Sequence, residues 1–351
     1  MKYPAIQSFE EVLSRLDGFD AIVDVRSPSE FAIDHLPGAI NCPVLDDDER
    51  IKIGTLYKQV NTFEAKKVGA ALVAKNIGRH IETLWLDKPR DWHPLIYCWR
   101  GGNRSGAMAH ILAKVGWPVI QLEGGYKAYR NYINSALAQP LTVPFTVICG
   151  TTGSGKSRLL EVLHSIGAQV LDLEQLALHR GSVLGNLPSQ PQPSQKAFES
   201  AIWQRLRHFD TNRPVFVESE SKKVGNLRVP ESVIACMRAA PCISLTLSRA
   251  DRVRLLMEDY AHFTDNPSIL NTQLDCLVSL HGRDKIARWH AMSNAGRMPE
   301  LVDELLLDHY DPAYLRSISR NFSLFPQAEV LALDDISPQA FLNAAQHLHR
   351  N

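Results

Sequence analysis

Cys98 stands in front of a loop built almost wholly of glycine, arginine and small polar residues, "WRGGNRS". A thiol attacks only as its thiolate, and positive charge or a ring of backbone amides favours that form. Gly101 and Gly102 let the chain curl tightly, so the amides between Trp99 and Asn103 can turn inward as an anion nest. Arg100 and Arg104 add charge, and five residues separate Cys98 from Arg104. A buried structural cysteine needs neither arginine nor a glycine pair. The pattern therefore predicts a cysteine nucleophile beside a bound tetrahedral anion.

A second constellation is a phosphate cradle. Gly150, Thr151, Thr152, Gly153, Ser154, Gly155, Lys156 and Ser157 meet the full Walker A pattern, with an apolar run "FTVIC" before it and a helix-like segment after it. Loop amides at a helix N-terminus hold a diphosphate, Lys156 reaches its oxygens, and Ser157 is placed to bind a magnesium ion. Further candidates follow at the ends of apolar runs: Asp172 and Glu174, then His179 and Arg180, then Glu218 and Glu220. Glu218 lies where a Walker B acid would stand, and a structural or capping role stands beside a magnesium-binding one. Arg249, Arg252 and Arg254 are spaced as phosphate-contacting arginines. No C-x-x-C pair or other metal-ligand spacing occurs, so no metal centre is expected.

The elements that must position these residues read as α/β. "AIVDV" at 21–25 and "LIYCW" at 95–99 are buried parallel strands that end at polar loops. "PSEFAIDHLPGAINCP" gives a short helix, a turn at Pro37-Gly38 and an extended piece, 64–79 has helical spacing, and a strand, a glycine turn and a helix run from Pro118. Two prolines in "SALAQPLTVP" mark a linker. The predicted domains are 1–135, a linker at 136–143, and 144–351, in which "VLDLEQ", "PVFVESES" and "CISLTL" continue the strand pattern. "LPSQPQPSQ" at 187–195 reads as a loop without core residues, and the last hundred residues read mainly as helices.

Composition limits the classes. A content of 45% apolar residues supplies ordinary cores, and no run of about 18 apolar residues exists for a membrane span. Six scattered cysteines do not form a disulfide framework, and together with the mixed N-terminal segment they predict a cytoplasmic protein. Lys plus Arg equals Asp plus Glu at 38 each, so global charge does not advertise nucleic acid. Residues 222–257 and 283–297 are locally basic, which makes them candidate RNA tracks with Trp289 or Tyr314 as stacking platforms. A solvated helix face and a core tryptophan are the plainer alternatives.

The stretch "DVRSPSEFAIDHLPGAINCPV" followed by the cysteine loop resembles the rhodanese domain. With "GTTGSGKS" and "LDLEQLALHRGSVLG" downstream, the whole chain resembles the tRNA 2-selenouridine synthases. That resemblance implies an N-terminal rhodanese-like domain and a P-loop NTPase-like α/β domain with a helical C-terminal part. It implies that Asp24 and Arg26 organise the floor of the cysteine site and that Cys98 handles selenium, carrying a chalcogen as a persulfide-like or perselenide-like group. It also implies two steps at the wobble base of lysine, glutamate and glutamine tRNAs: geranyl diphosphate alkylates 2-thiouridine, and selenophosphate then supplies selenium that displaces the geranylthiol. No tightly bound cofactor is implied, with magnesium optional and an enzyme that supplies selenophosphate as a candidate partner. The motifs alone also allow a P-loop small-molecule kinase fused to a phosphatase- or sulfurtransferase-like domain, with Asp24, Asp34 or Glu123 as general acid. A nucleotide-controlled docking protein is a further reading, which an intact Cys98 and paired glycines argue against.

Overall fold

The computed structural model describes residues 3–182, 184–188 and 190–350. Val183, in the segment after His179, and Ser189, in the proline- and glutamine-rich loop, lie outside the described residues. The chain divides into two compact units, Met1–Ala136 with Glu199–Ala201, and Leu137–Phe198 with Ile202–Asn351.

The first unit is built on strands β1 (Ala5–Gln7), β2 (Ala21–Asp24), β3 (Ala39–Asn41), β4 (Pro94–Tyr97) and β5 (Ile120–Leu122). They form one parallel sheet in the order β1-β5-β4-β2-β3. Every residue of β4 is buried, as expected of a strand covered on both faces. Val23 and Ile96 pack with Met108 and Leu112 of the helix Asn103–Val115 and with Trp85, Trp92 and Trp117. Cutting Leu112 back to alanine in such a core costs about 2–5 kcal/mol. The cysteine loop leaves the carboxyl end of β4, where open α/β sheets place their sites.

In the second unit β6 (Phe145–Cys149), β7 (Gln169–Leu171), β8 (Val215–Glu218), a small antiparallel hairpin of β9 (Lys223–Val224) and β10 (Leu227–Arg228), β11 (Cys242–Thr246) and β12 (Glu329–Ala332) occur in that order. The five long-range strands are parallel, ordered β12-β11-β6-β8-β7. The glycine loop therefore leaves the central strand, between two neighbours reached by opposite crossovers. Leu159, Leu160 and Leu163 of the helix Lys156–Ser165 pack on Phe341, Ala345 and Leu348 of the C-terminal helix. A separate helical core gathers Leu270, Leu274, Ile286, Trp289, Leu301 and Leu305.

Three local expectations differ from what the fold adopts. The helix Gly125–Ala138 runs into the predicted linker, because Ile133 and Leu137 still have core to bury. Residues 47–59, given no helix by the sequence pattern, form the helix Asp47–Gln59 behind an Asp46 capping box. The strand β12 lies in the stretch expected to be helical. Its residues pair with β11, and only the sheet edge makes them extended.

Candidate functional site

Cys98 is buried at the start of its loop. Its carbonyl accepts from the Tyr126 amide at 2.8 Å, and the Trp99 carbonyl accepts from Lys127 at 2.9 Å. These bonds pin the loop to the start of the helix Gly125–Ala138. Gly125 has φ +55°, and a Cβ there would stand 2.3 Å from the Cys98 carbonyl oxygen, so only glycine permits the approach. Gly102, at φ +73°, caps the helix that follows, and its carbonyl accepts from Gln121 Nε2 at 3.1 Å. Gln121 Nε2 also donates to Ser105 Oγ at 3.2 Å, and Ser105 Oγ lies 3.3 Å from Cys98 Sγ as a donor.

Charge around the loop is already distributed. Arg104 Nη1 pairs with Glu30 Oε2 at 2.7 Å, and the same oxygen accepts from the Ser27 amide at 3.2 Å. Burial acts to raise the Glu30 carboxyl, and Arg104 outweighs it and holds its pKa below the usual carboxylate value. Trp99, Arg100, Gly101 and Asn103 are exposed. Beneath them Arg26 Nε donates to both oxygens of Asp24 (3.0 and 2.9 Å) and Nη2 to the Asp34 carbonyl at 2.7 Å. The guanidinium lies 4.1 Å from the Tyr126 ring centroid. Asp24 is thus a fully buried partner of Arg26, with no oxygen left facing an anion. Asp34 accepts from the Tyr126 hydroxyl at 2.8 Å, and Glu123 is exposed at the end of β5.

In the second unit the phosphate loop closes on itself. Lys156 Nζ donates to the Gly150 carbonyl at 2.8 Å, and the Gly150 amide donates to the Tyr314 hydroxyl at 2.6 Å. A Cβ on Gly150 would meet Ser154 Oγ at 2.4 Å, and one on Gly155, which has φ +89°, would meet the Phe341 ring at 2.7 Å. The loop faces a cavity of about 680 Å³ that also takes in Asp172, Glu174, His179, Arg180, Glu220 and Tyr260. Ser157 Oγ donates to Glu174 Oε2 at 2.9 Å, and Glu218 Oε1 accepts from the Glu174 amide at 2.8 Å. Glu218 Oε2 is buried without a hydrogen-bond partner among the described residues. A small apolar recess containing Leu256, Phe263, Met298 and Leu301 shares Thr152, Ser182 and Tyr260 with the cavity.

Burial and neighbouring charge shift three of these carboxylates toward the protonated form. Burial first, then the Asp172 and Glu174 charges, push Glu218 well above the carboxylate range. Burial and Glu174 push Glu220 up to about 8 against the pull of Lys156, and burial takes Asp172 up to about 6 although the Gln175 amide works the other way. Burial likewise lowers His179, whose Nδ1 accepts from the Gly181 amide at 3.1 Å. Among the described residues no group of three or more His, Cys, Asp or Glu side chains is arranged to hold a metal ion.

Two family models match the chain: one described as the tRNA 2-selenouridine synthase AAA domain over residues 143–275, the other as the rhodanese-like domain over 8–132. A curated tRNA 2-selenouridine synthase of Nitrosomonas europaea is 38% identical over 68% of this chain and 63% of its own length. That of Nitrosomonas eutropha is 35% identical over 74% and 68%, and that of Chromohalobacter salexigens 32% identical over 84% and 86%. The chain belongs to the tRNA 2-selenouridine synthase family. Its match to the first of these relatives spans a little under two thirds of that protein. No helix among the described residues is long and apolar enough to cross a membrane.

For this family member the fold separates the sequence's candidates into groups. Cys98, Gly102 and Arg104 come together, and so do the phosphate loop, Asp172, Glu174, His179, Arg180 and Glu220. The arginines expected to touch phosphates are otherwise engaged. Arg249 pairs with Asp303 at 2.9 Å, Arg254 with Asp251 at 3.0 Å, and Arg252 with Asp311 at 2.6 Å while its Nε supports the Thr152 carbonyl at 2.9 Å. Trp289 is fully buried and donates to Glu304 at 3.1 Å, so it is core and not a base platform. Gln121, Ser105 and Glu30 went unnoticed in the sequence. The Gly124-Gly125 pair directly after β5 was the one signal that something approaches the backbone there.

Proposed function

We propose that the chain converts wobble 2-thiouridine to 2-selenouridine in lysine, glutamate and glutamine tRNAs, with geranyl diphosphate handled in the second unit and selenophosphate at Cys98. The observation that carries this reading is the apolar recess opening from Thr152 of the phosphate loop. A cradle for a phosphate alone has no use for a hydrocarbon-lined neighbour, whereas an allylic diphosphate has a use for both, its chain starting in the recess of about 50 Å³ and continuing along the larger cavity. In the first step the base sulfur attacks C1 of the geranyl chain, the C–O bond breaks, diphosphate leaves into the loop and Lys156, and the N3 proton of the base is released. A magnesium ion arriving with the diphosphate would find hard oxygen donors in Ser157 and Glu174, and its chemistry there is to neutralise the departing charge.

Electron balance restricts the part of Cys98. Selenium in selenophosphate is already at the selenide level, so a cysteine–selenium bond would require an oxidant. The balanced course has the Cys98 thiolate attack phosphorus. The P–Se bond breaks with its electron pair on selenium, selenide adds at C2 of the geranylated base, and geranylthiolate leaves. Water then cleaves the phosphocysteine to the free thiol and phosphate. A C-x5-R loop suits that in-line displacement, and Ser105 places a donor against the sulfur.

The test is nucleoside mass spectrometry of 2-thiouridine-containing tRNA incubated with the purified protein and each donor, singly and together. Geranylated product with geranyl diphosphate alone and 2-selenouridine with both donors is the expected result. Unchanged tRNA with verified donors and folded protein, together with ATP turnover, would replace this reading by the kinase-like one.

A further inference from the structure

The helices Asp47–Gln59 and Thr62–His80 form an arm inserted between β3 and β4. Its base is fixed: Asn76 Nδ2 donates to the Val44 carbonyl at 3.1 Å and to Glu49 at 2.7 Å, and His80 Nε2 bonds the Pro43 carbonyl at 2.9 Å. The helices meet closely at Gly69, where Ile53 Cδ1 lies 3.7 Å from the place a Cβ would take. Away from the base, the first helix buries none of its residues. On either side of the turn that joins the two, Tyr57, Val60 and Phe63 are exposed at 56%, 61% and 69%.

Beyond the acidic first turn of its first helix, Asp47, Asp48 and Glu49, the arm is mostly basic. Between residues 51 and 80 the single acid is Glu64, against Lys52, Lys58, Lys66, Lys67, Lys75 and Arg79, all exposed. Lys67 pairs with Glu64 at 2.8 Å and lies 5.6 Å from the Phe63 ring centroid. The other five have no carboxylate partner among the described residues, unlike the arginines of the 249–254 stretch. Unpaired cations beside exposed aromatic rings are the combination that neutralises phosphates and stacks on splayed bases. From Phe63 to Lys75 is roughly 18 Å of helix at 1.5 Å per residue. The cations are spread along the arm and, with Lys66 and Lys75 half a turn apart, around it, as an RNA folded about the arm can meet, whereas a lipid surface would be met at the tip alone.

We infer that this helical arm is a tRNA-docking surface, with Lys58, Lys66 and Lys75 on the phosphate backbone and Tyr57 and Phe63 against unstacked bases. The inference rests on the tRNA substrate proposed above. Full-length wild type and the triple variant K58Q/K66Q/K75Q are compared for binding of 2-thiouridine-containing tRNA by fluorescence anisotropy over a salt series, with thermal melts of both. The triple variant is expected to bind at least about tenfold more weakly and to lose about 2–3 from the slope of log affinity against log salt, at roughly 0.7–0.9 per phosphate contact. Y57A/F63A is expected to weaken binding several-fold with its slope unchanged. Equal affinity and slope in wild type and a folded triple variant would overturn the arm and leave the substrate reading standing. A wild type that binds no tRNA would overturn both. Co-sedimentation with phosphatidylglycerol vesicles that the triple variant loses, with tRNA binding intact, would overturn the arm's RNA role in favour of a lipid surface.

Discussion

The cysteine loop and the phosphate loop are built alike and charged differently. Each leaves the carboxyl end of a buried parallel strand and enters a helix through a glycine in the left-handed region, Gly102 at φ +73° and Gly155 at φ +89°. The carboxylates by the cysteine loop are spent on arginines, Glu30, held below its ordinary value, on Arg104 and Asp24 on Arg26. The phosphate loop faces Asp172, Glu174, Glu218 and Glu220, three of which burial and mutual repulsion drive toward the neutral form. Strand, glycine and helix make an anion site in both places. The carboxylates around it set which anion, and in which protonation state, it accepts.

The sharpest way to break that comparison is a crossover of variants. Cys98→Ser is expected to lower selenation by about a thousandfold or more while leaving geranyl transfer nearly intact. Lys156→Ala is expected to weaken geranyl diphosphate binding about 10–100-fold, the worth of one charge-assisted bond of roughly 1.5–3 kcal/mol. Single-donor assays and isothermal titration read the two, and equal loss of both steps in folded Cys98→Ser would erase the division between the loops.

The next effect is in pH. The folded Glu220 pKa, about 8, lies above its ordinary 4.5, so the native state binds the extra proton between those values. The stability it contributes is present below about 4.5 and is lost as pH rises through about 8. Glu220→Gln should therefore flatten the fall in melting temperature over that window, as scanning calorimetry at stepped pH would read. An unaltered pH profile would mean the carboxylate titrates normally.

The smallest effect concerns Arg104. Glu30→Gln removes its competitor and is expected to tighten binding of a phosphate-like anion at the cysteine loop by a few-fold, the scale of a partly exposed ion pair. Inhibition of selenation by inorganic phosphate measures it, and an unchanged inhibition constant would show that the anion never meets Arg104.

Much of the site was legible because its signals are local. "GTTGSGKS" after an apolar strand prescribes a cradle wherever it folds, and "CWRGGNRS" prescribes a curled loop. Glu30 was not legible as a partner because 74 residues separate it from Arg104, and Gln121 looked like an ordinary polar residue in a short strand. The pairing of Arg252 within its basic stretch was hidden for a related reason. Asp311 lies 59 residues after Arg252, and a count of charges along the chain cannot see a carboxylate that packing brings back. Of the arm, the second helix was legible as 64–79 and the first was not, since it has no apolar stripe to announce it and is held by a capping box and by its neighbour.

By itself the sequence determined two strand–loop–helix units, the cysteine loop and the glycine-rich loop, since glycine freedom, alternating burial and motif spacing act over a few residues. Tertiary structure alone decided which charges stay free. Arg104 and Arg252 are spent on distant carboxylates, Glu218 and Glu220 are driven toward the protonated form, and the arm's lysines other than Lys67 have no carboxylate partner among the described residues. Pairing and desolvation depend on what packing brings within a few ångströms, and linear order does not carry that distance.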